Sequence, residues 1–152
     1  MGEKMPGLIP TELYRQILEN MPISCVDIVI FHKGKVLLVY RKEEPAKGKW
    51  WVPGGRIHKN EKLNDAVTRK VKEETNLDVI IEKQIGGYEY MSDKGIYDLK
   101  TGTHAVTVNY LVTPLEGQEI KVDETSSDYR WIDKIEESLD PYIKKILKYD
   151  EH

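Results

Sequence analysis

Residues 54–77 read GGRIHKNEKLNDAVTRKVKEETNL, and this stretch limits the fold more tightly than any other. A double-glycine turn leaves an extended run, a charged loop follows, and the loop feeds one amphipathic helix. With about 100° of turn per residue from near Glu61, Leu63, Ala66, Val67 and Val71 form one apolar stripe. Lys70 and Glu74 then share an angular sector, flanked by Arg69 and Glu73. A helix that buries its first half presents ions from the same face where they meet something, because an unpaired buried charge is expensive. Two readings stand. Either Lys70 and Glu74, four residues apart, form a surface ion pair worth about 0.3–0.5 kcal/mol, or the second half of the helix is a platform for a metal and an anion.

The 152 residues suit one domain, and a chain of that length buries roughly two-thirds of its unfolded surface. The 26 acidic and 23 basic residues leave a formal charge of −3. No global positive field draws nucleic acid or anionic lipid, so a phosphate ligand has to be held by a local cluster of arginines or lysines. Cys25 is the sole cysteine, which excludes an intrachain disulfide and a cysteine-rich zinc site. Its apolar neighbours mark it as an inert core residue. No apolar segment follows a basic start, and no stretch approaches membrane-spanning length. The expectation is a soluble cytoplasmic protein with neither nucleic acid nor membrane as partner.

Residues 1–10 carry two glycines and two prolines and are expected to fray. Thr11 is placed to cap a helix that ends near Asn20, with Leu13, Ile17 and Leu18 on one side, and Pro22 stops it. Strands are expected over residues 23–32 and 36–40, joined by a turn in which Gly34 supplies positive φ. Further strands are expected at 50–52, 77–81 and 88–91, the last two separated by a bulge or bend at Gly86 and Gly87. Two more lie at 104–112 and 129–132. Residues 41–49 form a charged loop, and residues 92–102 form a polar loop of the length that often borders a site. A helical pattern covers 133–149, interrupted at Pro141, with Ile143, Ile146 and Leu147 facing inward. Regular βαβ alternation is absent, so the class is α+β with a mostly antiparallel or mixed sheet.

Several side chains stand out. Arg56 directly follows a double glycine that permits close backbone approach to a ligand. Arg41 ends a strand before a loop, where a surface cation and a phosphate ligand are both ordinary. Arg69 serves a site or bridges to Glu73. Asp27 lies in an otherwise apolar strand, and a buried carboxylate needs a partner. Glu61 suits a first helical turn, where the dipole favours negative charge. Of Trp50 and Trp51, one points into the core and the other is free to stack on a base. Tyr88, Tyr90 and Tyr97 offer sugar or base contacts, although core and surface roles are the commoner use. His58 reads as a solvated loop residue, and His32 sits beside the first turn.

The spacing Gly55, five residues, Glu61, seven residues, Arg69 and then Glu73-Glu74 resembles the Nudix box, Gly-x5-Glu-x7-Arg-Glu-apolar-x-Glu-Glu-x-Gly-apolar. Val71 and Leu77 fit its apolar positions. Lys70 stands where the box has Glu, reversing the charge. Asn76 stands where it has Gly, a mild replacement because Asn tolerates the left-handed conformation. A resemblance covering most of the chain is to GDP-mannose mannosyl hydrolases. It runs through the N-terminal helix, the Asp27 strand, LLVYR ending at Arg41, PAKGKWWVPGGR over 45–56 and SDYRWI over 127–132. That subfamily also lacks the Glu at the place of Lys70.

The resemblance implies one Nudix domain over 1–152, an α/β/α sandwich with a mixed sheet around a loop-helix catalytic element. It implies a Mg2+-dependent hydrolase, with Mn2+ as the alternative ion, and a homodimer. Such enzymes attack the anomeric carbon of a nucleotide sugar with inversion and release sugar and nucleoside diphosphate. Carried over, Gly55 gives a backbone carbonyl and Glu74, with Glu73, a carboxylate to the metal. Asp27, Arg41, Arg56 and Arg69 match catalytic positions, and Arg41, Arg56, Trp51 and Lys70 are placed to bind substrate. The chemistry is coherent, because a metal ion and planar guanidiniums stabilise a diphosphate leaving group as the C–O bond breaks. Mg2+ also accepts few protein oxygens and keeps waters.

The match departs before the DYRW segment, where Thr125 and Ser126 occupy the positions of a metal-binding Gln and a general-base His. Ala105 is nearest to the place of a site tyrosine. Glu124, Asp128 and His104 are the remaining candidate bases. Two alternatives accompany the sugar-cleaving reading. One is a nucleoside-diphosphate pyrophosphatase attacking phosphorus. The other is a non-catalytic nucleotide-binding Nudix module, in which Lys70 replaces part of the Mg2+ charge.

Overall fold

The alternation of one strand sets the layers. In β1 (Ile23–His32), Val26, Ile28 and Ile30 are fully buried on one face, and Asp27 and Val29 are buried on the other. A strand that buries both faces needs a layer on each side. The computed structural model, which describes residues 8–151, supplies them. Val26, Ile28 and Ile30 pack with Ala66, Val67 and Val71 of α2 (Leu63–Thr75). Val29 packs with Ile143 and Ile146 of α3 (Pro141–Leu147).

Between the helices lies a mixed sheet whose order is β3-β2-β1-β6-β5, with β4 added on β1 and β7 on β2. The strands are β2 (Lys35–Arg41), β3 (Trp50–Trp51), β4 (Gly54–Arg56), β5 (Val79–Ser92), β6 (Thr103–Pro114) and β7 (Ser126–Ile132). β1 and β6 run parallel, and the other pairs are antiparallel. This is the expected α+β sandwich.

One feature of the register positions the site. Phe31 and His32 of β1 pair with β2, whereas Cys25, Val26 and Asp27 pair with Arg56, Gly55 and Gly54 of β4. The sheet therefore parts where β1 changes partner, and the glycine turn is held beside Asp27.

Several local expectations need correction. Helix α2 starts at Leu63, two residues after Glu61, because Asn60 takes a left-handed φ of 66° and Lys62 remains extended. Asn76 closes that helix at φ 68°, the conformation expected of it. The first helix, α1 (Thr11–Asn20), has Pro10 rather than Thr11 at its N-cap and no side-chain cap. β5 is one 14-residue strand with register shifts at Ile81/Lys83 and Gln84/Gly86, not two strands. Pro141 starts α3 instead of breaking it. Its missing N–H costs nothing in the first turn, and Asp140 caps the helix by accepting the Tyr142 N–H at 2.8 Å. Of residues 1–10, where fraying is expected, residues 1–7 lie outside the described residues.

Candidate active site

A cavity of about 200 Å³ opens at the parting of β4 and β2. Asp27, Arg41, Trp51, Gly55, Arg56 and Glu74 all line it, so six of the nine residues to which the resemblance gives a catalytic, substrate or metal role meet in one place. Glu73, Arg69 and Lys70 are not in its wall; Lys70 packs against Gly55, and Arg69 reaches the Arg56 carbonyl.

Asp27 is buried, 8% exposed. The partner its burial demands is Tyr142, whose hydroxyl donates to Oδ2 at 2.5 Å and lies 2.8 Å from Thr107 Oγ1. Burial pushes the Asp27 carboxyl up to about 7, with the Tyr142 hydrogen bond pulling the other way. Burial likewise drives the Tyr142 phenol far above its ordinary range. Tyr142 also stacks on Trp51, with ring centroids 5.7 Å apart, and meets Tyr90 at 5.1 Å. These three rings form an apolar wall beside the carboxylate. Sequence reasoning missed Tyr142. The Asp140-Pro141 helix start would have fixed the phase of α3 and turned Tyr142 inward with Ile143 and Ile146.

The second half of α2 closes the other side. Glu74 is 3% exposed. Its Oε1 accepts the Gly54 N–H at 3.3 Å, and its Oε2 lies 3.1 Å from Lys70 Nζ. The same ammonium lies 3.2 Å from Glu73 Oε1. Burial pushes the Glu74 carboxyl up, and the adjacent ammonium pulls it back. Burial opposes the charge on Lys70, but Glu74 and Glu73 outweigh it and raise the ammonium above its ordinary pKa. A Cβ on Gly55 would stand 2.6 Å from Lys70 Cε, so the lysine stem fills the space that the glycine leaves. Hard oxygens from Glu73, Glu74 and the Gly55 backbone suit Mg2+ with water and phosphate completing the shell. Among the described residues no group of three or more His, Cys, Asp or Glu is placed to hold a metal unaided.

The arginines divide. Arg41 donates from Nε to the Pro45 carbonyl at 3.3 Å and from NH2 to the Glu43 carbonyl at 3.2 Å, which ties the charged loop to the cavity rim. Arg56 donates to the Ile57 carbonyl at 3.3 Å and lies 5.3 Å over the Tyr14 ring, bringing α1 to the cavity. Arg69 is a bracket. It grips Glu61 through Nε at 2.7 Å and NH2 at 2.9 Å, reaches the Arg56 carbonyl at 3.0 Å and contacts Glu73 at 3.3 Å. The Arg69 hydrogen bonds hold the Glu61 carboxyl at about 2. Glu61 also accepts the His58 N–H at 2.9 Å, so it braces the loop instead of opening the helix.

The other sequence candidates stand apart. His104, Glu124 and Asp128 are exposed and none lines the cavity. Thr125 Oγ1 donates to Asp123 at 2.6 Å, and Ser126 is buried in β7 outside the cavity wall. Trp50 faces Tyr40 and the Arg130 guanidinium. Tyr88 lies under Lys145, Tyr97 packs on Tyr14 and Arg15, and His32 tilts against Trp131. Cys25 is buried, and that burial pushes its thiol up to about 12, as an inert core cysteine requires.

A sequence profile described as the NUDIX domain matches residues 21–148. The chain belongs to the Nudix family. It is 37% identical over 146 residues to the low-salt glycan biosynthesis protein Agl8 of Haloferax volcanii, covering 96% of this chain and 93% of that one. An ADP-ribose pyrophosphatase of Methanocaldococcus jannaschii is 29% identical over 112 residues, 74% of this chain and 62% of its own length. Among solved structures, a MutT Nudix hydrolase from Burkholderia pseudomallei superposes with a TM-score of 0.70 at 24% identity, covering 86% of this chain and 98% of that one, a likeness of fold. Nudix membership carries the coarse reaction class, a hydrolase of nucleoside diphosphate derivatives.

Proposed function

We propose that this Nudix domain hydrolyses a nucleotide sugar of the GDP-mannose type to sugar and nucleoside diphosphate, with Mg2+ or Mn2+ as cofactor. The observation that carries the reading is the placement of Asp27. A buried carboxylate raised to about 7 shares one cavity with Arg41, Arg56 and Glu74, where the positions expected to supply a base hold Thr125 and Ser126.

The roles follow from that geometry. Arg41 and Arg56 hold the diphosphate, and Lys70 stands behind the Gly55 turn as a third cation for it. Trp51, with Tyr90, forms an apolar wall for the base or sugar. Asp27, oriented by Tyr142, takes a proton from the water that attacks the anomeric carbon, and the C–O bond to the diphosphate breaks. Gly55, Glu74 and Glu73 would hold the metal, which when bound neutralises charge on the leaving group. Arg69 fixes Arg56 and Glu61 rather than touching substrate. The relative concerned with glycan biosynthesis supports a sugar-linked substrate.

Hydrolysis of a panel of GDP- and ADP-sugars in 18O water with Mg2+ tests this directly. The expected product is labelled sugar with unlabelled nucleoside diphosphate. Label in phosphate instead identifies a pyrophosphatase attacking phosphorus. The Lys70 ammonium seated on both carboxylates favours a second reading, a nucleotide-binding module without turnover. Tight nucleotide binding with no product from any sugar in the panel selects it.

A further inference from the structure

Both carboxylates expected to bind the metal already face one cation. Lys70 Nζ lies 3.1 Å from Glu74 Oε2 and 3.2 Å from Glu73 Oε1, and a Cβ on Gly55 would stand 3.0 Å from it. The lysine is not a surface residue that happens to lean this way. Its side chain is 17% exposed, that of Glu74 4%, and its stem is packed over the glycine. The second oxygen of Glu74 is occupied by the Gly54 N–H, so Oε2 is the one that faces the ammonium. Two carboxylates and one ammonium carry a formal −1. A glutamate at position 70 would make three carboxylates and −3, a difference of two charges.

We propose that the Lys70 ammonium is a resident counter-ion on the metal ligands, so that a divalent cation enters by displacing it and the displaced ammonium passes to the substrate phosphates. The inference rests on the metal-dependent reading above. Two cations cannot share Glu74 Oε2 without strong repulsion at this depth. Before nucleotide arrives, the ammonium has no better partner than the carboxylates. Phosphate oxygens give it one and also offer ligands to the metal. Metal and nucleotide must therefore bind with positive coupling, and the coupling is reciprocal.

Mn2+ titration followed by electron paramagnetic resonance, without nucleotide, measures the competition. Lys70→Gln is expected to bind Mn2+ about tenfold or more tighter than wild type, within the usual range of such couplings. Lys70→Arg keeps the charge and should remain weak. The double variant K70Q/E74Q should lose the gain. Addition of GDP should tighten Mn2+ binding strongly in wild type and much less in K70Q. Equal Mn2+ affinity in wild type and K70Q, including no binding by either, overturns the proposal. So does a gain that survives in K70Q/E74Q, which would put the ion elsewhere.

Should K70Q fail to fold, the wild type still answers. The 1H–15N correlation of the Lys70 ammonium must shift or vanish when Mg2+ and GDP are added, and an unmoved signal overturns the proposal. The two readings also fail separately. Turnover of a nucleotide sugar with equal Mn2+ affinities sinks the counter-ion and leaves the hydrolase. Tighter binding in K70Q with no turnover by wild type keeps the counter-ion and removes the hydrolase.

Discussion

At the scale of single residues, the decisive property is what burial does to Asp27. Its carboxyl titrates near 7 in the folded protein, against about 3.9 in an unfolded chain. Between those values the folded state keeps a proton that the unfolded state has released. The resulting stability is complete below about pH 4 and is lost as pH rises through 7. Asp27→Asn removes this dependence. In urea unfolding, the midpoint of wild type relative to D27N should fall steadily from pH 4.5 to pH 8, and a constant difference would show that Asp27 does not titrate in this window. On the mechanism proposed above, the same substitution also removes the proton acceptor. We expect kcat to drop roughly 10²- to 10⁴-fold. The acidic limb of the wild-type pH–rate profile, centred near 7, should disappear with it.

At the scale of elements, β4 and α2 are matched across two glycines that are not equivalent. A Cβ on Gly54 would run into Asp27 Oδ1 and the Val26 carbonyl, a carboxylate and a backbone that are both fixed in β1. A Cβ on Gly55 would meet the far end of Lys70, which can bend away. Gly54→Ala is therefore expected to lower stability by about 1–3 kcal/mol and to abolish activity. Gly55→Ala is strained by its φ of 158°, but it displaces only a lysine end, so it should cost less than Gly54→Ala, about 1 kcal/mol. Chemical denaturation of both variants settles it, and equal losses would mean that β4 is free to move. The same elements explain what the sequence revealed. The stripe Ala66, Val67, Val71 and the inward turn of Glu74 are legible because helical period is a local property. The start of α2 is not, since Glu61 is held out of the helix by Arg69, eight residues on. The inward turn of Tyr142 is readable from the Asp140-Pro141 helix start, but its pairing with Asp27 is hidden for a stronger version of that reason. The carboxylate it serves lies 115 residues away, and no periodicity links a C-terminal helix to a strand near the other end. Likewise, the exposure of His104 follows from the register of β6, where Ala105 and Thr107 take the inward positions.

At the scale of the whole molecule, the site has no independent existence. Asp27 comes from β1, Arg41 from β2, Arg56 from β4, Glu74 from α2 and Tyr142 from α3, and the two helices lie on opposite faces of the sheet. The cavity exists because β1 exchanges β4 for β2 along its length, so any motion that separates the layers dismantles the site. A ligand that needs all five elements binds the native state and not the unfolded chain. At a concentration of about 100 times Kd it adds about 2.7 kcal/mol of stability. For a chain of this size, at about 2–4 °C per kcal/mol, GDP with Mg2+ should raise the melting temperature by about 5–10 °C. The transition should remain single, because the helices that carry Glu74 and Tyr142 also carry the two halves of the core. Scanning calorimetry with and without ligand is the measurement. A ligand-stabilised transition that splits in two would mean that α3 comes away separately, and with it the Tyr142 hydroxyl that holds Asp27 in place.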